Sequence, residues 1–441
     1  VSANPTGDLH IGHGRQAVIG SCLANLLEAA GYDVKREFYI NDYGEQISKL
    51  SESTWAIYRK LNGENVEWLE DYYPEDALRP YVEGVYCNTP VRANFSKESL
   101  GLTVKSIILN AQKDLLASFK VTFDDWFSET NLHKNDAVKD TLEKLKKSNF
   151  TYEKDGALWF KAEELGDVRD RVLVRADGRP TYLAADISYH ENKLNRGFEH
   201  LINLWGADHH GQEVGLKGAL KSIGMDENKL ELIFVQMVSL KKDGQEVKMS
   251  KRAGTVVSVA EVLEEVGSDA FRYFLIESHP NNRMVFDIDL AKKQDKDNPV
   301  YYVQYAHARC CSIFRQIKEA YSDKPLDGIN IDSVEKRFSL KDTFNKLFEV
   351  EEKELIATKD LVLKILDFPD EVSLAAINRA PSRIANYLKD LAIEFHQFYT
   401  VCRVISKDEK LTLARLGLIK ATKITIANGL KILGISAPES M

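Results

Sequence analysis

Val1-Ser2-Ala3-Asn4-Pro5-Thr6-Gly7-Asp8-Leu9-His10-Ile11-Gly12-His13-Gly14-Arg15 opens the chain, and the reading of this stretch decides the fold. Pro5 and Gly7 interrupt any regular structure. Two histidines three apart follow, with glycine between and behind them. From Ala17 onward, apolar residues recur at Ile19, Cys22, Leu23, Leu26, Leu27 and Ala30, a helical spacing that closes at Gly31. His10 and His13 therefore stand where a helix begins, on adjacent turns of one face. Free backbone N–H groups and the positive end of the helix dipole make such a place a ready site for phosphate. Two imidazoles add movable donors. A helix start with merely solvated histidines carries the same local pattern, so the rest of the chain must decide.

Outward from this helix, Val34 to Ile40 reads as a strand followed by Asn41-Asp42-Tyr43-Gly44. Strand end, glycine-rich loop, helix and strand make half of a doubly wound nucleotide-binding fold. Residues 45–100 read as a mostly helical insertion. The parallel pattern resumes with a helix over Ile107 to Phe119, a strand at Val121-Thr122-Phe123, and then Asp124-Asp125-Trp126-Phe127-Ser128-Glu129. A second insertion, about 130–180, holds a charged helix (Asp136 to Lys147) and short strands around Tyr152 to Phe160 and Arg171 to Arg175. Thr181 to Tyr189 is again regular, and if it is helical Tyr182 and Asp186, four apart, share a face. Leu201 to Trp205 is a buried-type strand ending in Gly206-Ala207-Asp208-His209-His210-Gly211. A helix over Gln212 to Ser222 and a strand over Leu230 to Leu240 follow. Ligands of such sheets gather at the carboxyl ends of the strands.

A second strong signal is Lys248-Met249-Ser250-Lys251-Arg252-Ala253-Gly254-Thr255, a basic loop that follows a hairpin turn at Lys241-Lys242-Asp243-Gly244. Ser258-Val259-Ala260-Glu261 forms a capping box. It starts a helix ending near Gly267, and another runs from Ser268 to Glu277. Beyond Asp297-Asn298-Pro299, strand signals vanish. Amphipathic helices are expected over Tyr301 to Tyr321, Phe338 to Lys353, Ile356 to Ile365, Ser373 to Ala380, Ser382 to Val404 and Leu413 to Leu433. The fold class is thus α/β, a doubly wound parallel Rossmann-type domain with insertions, followed by an all-α helical bundle. The expected divisions are 1–245, a connecting segment 246–296 that carries the basic loop, and 297–441.

Bulk properties set limits. At 441 residues the chain exceeds one core. No apolar run approaches the roughly 20 residues of a membrane span, and no signal peptide is visible. The five cysteines form no C-x-x-C, which argues for a reducing compartment and against a structural zinc site. The net charge is −8, but residues 296–441 carry 22 basic against 20 acidic side chains, and 379–441 carry 10 against 5. This mild basic bias permits a polyanion partner without requiring one. The first residue is not methionine, and Val1-Ser2 reads as the tail of a strand, so the natural protein is expected to extend upstream.

With both loops in hand, the chain resembles a class I aminoacyl-tRNA synthetase. His10-Ile11-Gly12-His13 is similar to that class's HIGH motif. Lys248-Met249-Ser250-Lys251-Arg252 matches its KMSKS motif in four of five positions, with Arg252 in place of the last serine. Within the class the chain is similar to the arginyl-tRNA synthetases of bacterial type. Ser2-Ala3-Asn4-Pro5-Thr6-Gly7, Trp126-Phe127-Ser128-Glu129, Tyr182 with Asp186, and Gly206-Ala207-Asp208-His209-His210 carry that likeness. So do Tyr301-Tyr302-Val303-Gln304-Tyr305-Ala306-His307-Ala308-Arg309 and the ending Leu433 to Met441. The family's N-terminal additional domain would precede Val1.

The resemblance implies an ATP-dependent arginine–tRNA ligase, with 297–441 as its anticodon-binding domain. Catalytic roles fall to His10, His13, Lys248 and Lys251. ATP contacts fall to His10, Gly12, His13, Asp208, His209, Met249, Ser250 and Lys251. Arginine contacts fall to Asn4, Glu129, Tyr182 and Asp186, since a guanidinium needs planar acceptors and no competing cation. Tyr305 and Arg309 are expected at tRNA(Arg). Magnesium is expected with ATP, held mostly by phosphate and water, with no protein-bound metal. A cytoplasmic monomer with no membrane contact is the family expectation. Three alternatives stay open on these residues: a class I synthetase for lysine, a nucleotidyltransferase without tRNA, and a non-catalytic tRNA-binding paralogue.

Overall fold

The structure, a computed structural model, describes residues 2–88, 95–247, 257–320 and 340–441. Strand β1 (Ser2–Ala3) leads through the Pro5–Gly7 loop into helix α1 (Ile11–Ala29), and β2 (Glu37–Ile40) follows. The 45–100 insertion holds α2 (Glu45–Leu61), α3 (Glu75–Asn88) and the start of α4 (Lys97–Ser118), which returns the chain to β3 (Asp125–Ser128). These three strands are parallel in the order β1-β2-β3, with Ala3 beside Ile40 and Ile40 beside Ser128. Parallel pairing forces each connection to cross over through helices. Their carboxyl ends therefore open at one level, where Asn4, Asn41 and Glu129 begin the next segments.

The second insertion runs through α5 (Glu129–Lys134), α6 (Ala137–Lys147) and an antiparallel sheet of β4 (Thr151–Lys154), β5 (Ala157–Phe160) and β6 (Arg171–Val174). Then α7 (Tyr182–Asn195) leads to β7 (Leu201–Gly206), α8 (Glu213–Ser222) and β8 (Leu230–Val235), and β7 and β8 pair in parallel. Among the described residues the parallel strands thus form two hydrogen-bonded pieces, β1-β2-β3 and β7-β8. Helix α1 packs against β7.

Some expected elements fall differently. Leu230 to Leu240 is two strands, because the chain leaves the ladder at Gln236-Met237 and enters a second sheet as β9 (Val238–Lys242), with β10 (Gln245–Val247) and β11 (Met284–Asp287) beside it. The break has a partner. Arg15, fully buried on α1, donates to the carbonyls of Gln236 (2.9 Å) and Asn282 (2.8 Å). The strand expected at Val121-Thr122-Phe123 lies instead at Asp125–Ser128. The expected hairpin turn is present, with Asp243 and Gly244 both at positive φ, as a two-residue hairpin loop demands. The two helices expected on either side of Gly267 form α9 (Val259–Ile276), kinked where Gly267 takes φ 75°. A short α10 (Ile288–Ala291) precedes α11 (Pro299–Ala320).

After α11 the described chain is helical: Leu340–Asn345, Glu352–Leu366, Phe368–Ile377, Ser382–Val401 and Glu409–Ile432. The helix expected to run from Phe338 to Lys353 begins outside the described residues. Its described part breaks after a 3-10 turn at Lys346–Phe348, and a new helix starts at Glu352. One apolar core joins α1, β2, α9 and α11 to these helices, from Leu23 and Phe38 through Phe271 to Leu388, Leu430 and Leu433. Among the described residues no helix is long and apolar enough to cross a membrane.

Candidate active site

His10 and His13 are locked together by the backbone. His10 is the residue preceding α1, and its Nδ1 accepts from the His13 amide (3.4 Å) while His13 Nδ1 accepts from the His10 amide (3.3 Å). The rings stack with centroids 3.6 Å apart. This is a capping box built from two histidines. Because each Nδ1 accepts, each neutral ring carries its proton on Nε2. The space beside them is tight. A Cβ at Gly12 would lie 3.1 Å from the His10 ring, and one at Gly14 would meet Phe271 at 2.9 Å.

A cavity of about 1180 Å³ opens between this helix start, the carboxyl ends of the parallel strands and α7. Asn4, His10, Gly12, His13, Glu129, Tyr182, Asp186, Asp208 and His209 all line it. The structure therefore brings together nine sequence-selected positions that span more than two hundred residues. Gln112, buried on α4, holds the Asn4 loop by donating to the carbonyls of Asn4 (3.0 Å) and Gly7 (2.8 Å).

Two carboxyls dominate the floor. Glu129 is only 4 % exposed, and burial pushes it up to about 7. A hydrogen bond from Tyr39 opposes that rise, while Asp186 and Asp42 add to it. Asp186 keeps some solvent contact through the cavity but is surrounded by protein, and burial raises it to about 7 as well, against Lys193 and His209. Tyr182, one turn before Asp186, is half exposed with its ring at the cavity. Asp42 is the brace. It accepts from Ser128 Oγ (2.8 Å), Thr130 N (3.1 Å) and Lys105 Nζ (2.9 Å), tying the end of β2 to the turn that carries Glu129. Burial would raise Asp42, yet these donors hold it below the usual carboxylate range.

Sequence reasoning missed Asn41, Gln46 and Lys193 at the same cavity. Asn41 Oδ1 and Gln46 Oε1 are buried acceptors with no partner among the described residues. Asn41 had a usable signal, since it directly follows a parallel strand. Gln46, Lys193 and the supporting Gln112 had none, because they reach the site from helices whose register the sequence leaves open. Lys193 also corrects an expectation. The cavity has basic side chains in its lining, Lys193 among them, and burial pushes Lys193 down to about 7.

Residues 1–306 match the family model for tRNA synthetases class I (R), catalytic domain, and residues 303–441 match that for the DALR anticodon binding domain. The arginine–tRNA ligase of Staphylococcus epidermidis is 43% identical over 446 residues, covering 100% of this chain and 77% of that protein. That of Desulfitobacterium hafniense is 45% identical over 448 residues, covering 100% and 76%. The chain belongs to the arginyl-tRNA synthetase family. A crystal structure from Campylobacter jejuni, assigned as an arginyl-tRNA synthetase, superposes with a TM-score of 0.87 at 36% identity, over 100% of this chain and 92% of that one. The activity is accordingly that of an arginine–tRNA ligase of class I, using ATP, arginine and tRNA. The lysine and nucleotidyltransferase alternatives fall with this assignment.

Within the arginyl-tRNA synthetase frame, the other selected residues sit as follows. Asp208 and His209 are exposed in the turn after β7, 3.7 Å apart. Lys248, Met249, Ser250 and Lys251 lie outside the described residues. The start of α9 meets the histidine segment, since Ser258 bridges to His10 and Val259 N donates to Leu9 O (2.8 Å). Tyr305 and Arg309 stand far along the sequence on α11, with the Arg309 guanidinium 5.2 Å from the Tyr305 ring and 5.1 Å from that of Tyr399. Among the described residues no group of three or more His, Cys, Asp and Glu is placed to hold a metal ion.

Proposed function

We propose that this cavity activates L-arginine with ATP and passes it to the terminal adenosine of tRNA(Arg). The observation that carries the reading is the pair Glu129 and Asp186, two carboxyls raised by burial in one enclosure. A guanidinium is the ligand that suits them. It is planar, always charged and presents five donors, so it suits two carboxylates at once. Tyr182 offers its ring and hydroxyl to the side chain, and Asn4 holds the α-amino or carboxylate end. A carboxylate oxygen of arginine then attacks the α-phosphorus, the bond to the β-phosphate oxygen breaks, and pyrophosphate leaves.

Charge builds on phosphate oxygens during that step, so donors fixed beforehand lower the barrier. His10 and His13 supply Nε2–H groups, and Gly12 keeps the helix start open. Lys248 and Lys251, with Met249 and Ser250, belong on the departing pyrophosphate. Asp208 and His209 contact the ribose or adenine in this reading. Magnesium enters with the triphosphate, held mainly by phosphate and water. In the second step the 2′-OH attacks the arginyl carbonyl and AMP departs. Tyr305 and Arg309 face tRNA from the helical segment 297–441, with 1–245 and 246–296 as the catalytic and connecting parts. A cytoplasmic setting is the one we infer, in keeping with four buried free cysteines, and a monomer is the family expectation.

The test is charging of total tRNA with labelled arginine. Asp186→Asn is expected to raise the arginine KM at least about tenfold, as expected for loss of a hydrogen bond to a charged group, with little change for ATP. An unchanged arginine KM would remove Asp186 from the pocket.

A further inference from the structure

Lys193 is a lysine with no business on an ordinary buried helix face. It is 8 % exposed, it lies at the cavity, and among the described residues no carboxylate comes within 4 Å of its ammonium. It follows Asp186 by seven residues on α7, two turns along one face. Its Nζ donates to Asn203 Oδ1 on β7 (2.9 Å) and lies 4.3 Å from the centroid of the Tyr189 ring. Asn203 Nδ2 meets His190 Nε2 (2.5 Å), and His190 Nδ1 meets the backbone carbonyl of Asp186 (2.6 Å). A carbonyl only accepts, so His190 Nδ1 carries the proton and Nε2 accepts from Asn203. The chain of donors therefore runs one way, from the ammonium through Asn203 and His190 to the backbone of Asp186.

We propose that Lys193 is a positioning residue for arginine recognition: through this hydrogen-bonded chain and its nearby charge it holds Asp186 in place and favours its ionised form before the guanidinium arrives. Burial alone would leave two acids that prefer to be neutral, and a neutral acid is a poor partner for arginine. A resident ammonium without a bonded carboxylate supplies counter-charge at a distance, and it does not block the face that the substrate needs. The neighbours are consistent with this reading. Glu37 on β2 is engaged by Arg196 (2.8 Å) and by the Tyr189 hydroxyl, so it is not a bonded partner for Lys193. Asp186 is faced by Glu129 from α5, Tyr39 from β2 and His209 after β7. Burial pushes Lys193 itself down to about 7, with Glu37 and Asp186 opposing. The lysine and the aspartate each favour the other's charged form, and Glu37 supports the lysine more than Asp186 does.

This inference rests on Asp186 receiving the guanidinium, and the experiment separates the two. Arginine KM is measured in the charging assay for wild type, Lys193→Met and Asp186→Asn at about pH 6.5 and about pH 8.5. If removing the ammonium raises Asp186 by about one unit from about 7, the ionised fraction falls about eightfold at the lower pH and less than twofold at the higher. Lys193→Met is therefore expected to raise arginine KM about eightfold at low pH and to approach wild type at high pH, with ATP KM unchanged. Equal loss at both pH values would mean a structural role only and overturns the proposal, as does no loss at either. An unchanged KM in Asp186→Asn overturns the pocket assignment and this inference together. If Lys193→Met fails to fold, Lys193→Gln, which keeps a donor for Asn203 without the charge, is read in the same way.

Discussion

Replacing Glu129 with glutamine should make the free enzyme more stable and the enzyme useless to arginine. Glu129 carries a carboxyl raised from 4.5 to about 7 by burial. The folded chain thus holds a proton that the unfolded chain releases between those values, and stability falls as pH rises through the window. Carried to completion, that difference corresponds to about 3 kcal/mol at pH 8. Glutamine removes the ionisation and keeps an oxygen for the Tyr39 hydroxyl, but its amide must still be desolvated. The expected gain is about 1–2 kcal/mol at pH 8. Below about pH 4.5 the wild-type carboxyl is protonated in both states, and the two proteins should unfold alike. Urea denaturation at both pH values reads this directly. Arginine supplies the other arm. At a hundredfold excess over its Kd it should stabilise wild type by about 2.7 kcal/mol and the variant far less. A Glu129→Gln protein no more stable than wild type at pH 8, or equally stabilised by arginine, would refute the reasoning.

His13→Ala should lower arginine activation about a hundredfold or more, the scale of one lost transition-state donor, read by single-turnover adenylate formation. Activity within about tenfold of wild type would take His13 out of the chemistry. Arg272→Met should destabilise the whole chain by about 3 kcal/mol or more, because Leu433, Phe119 and Lys120 each lose a buried donor to their carbonyl oxygen. An unchanged urea midpoint would show that those carbonyls find other partners.

Most of the fold was legible because parallel strands and amphipathic helices leave strong periodic signals. Position within the sheet was less so. Asp125–Ser128 carries the strand in place of Val121 to Phe123, although it holds a charged and a polar residue beside its two aromatics. Pairing with Glu37–Ile40 chooses between them, and pairing is not written locally. Nor is the break at Gln236, which depends on Arg15 more than two hundred residues away. At the site, His10 and His13 were readable as a helix start because glycine and proline punctuate it. That each would cap the other's amide was not, since a histidine pair at a helix start does not by itself say which backbone N–H each ring meets. Glu129, Tyr182 and Asp186 entered through family likeness, whereas their shared burial is a property of the assembled cavity. Asp42, Gln112 and Lys193 were invisible for the same reason. A buried polar residue declares its purpose only when its partners are in place.

The seating of the last helix on the first has a consequence for modularity. Cys22 Sγ and Asn25 Nδ2 on α1 donate to the carbonyls of Leu433 and Ile432 (3.2 and 3.0 Å), and Arg272 reaches Leu433 from α9. The end of the chain is thus a wall of the histidine-bearing helix rather than an appendage beside it. A fragment cut near residue 296 would not be a smaller catalyst. It would bare the apolar back of α1 and strand a guanidinium in the core. The two functions, chemistry and tRNA contact, divide along the sequence, but the folded material does not divide with them.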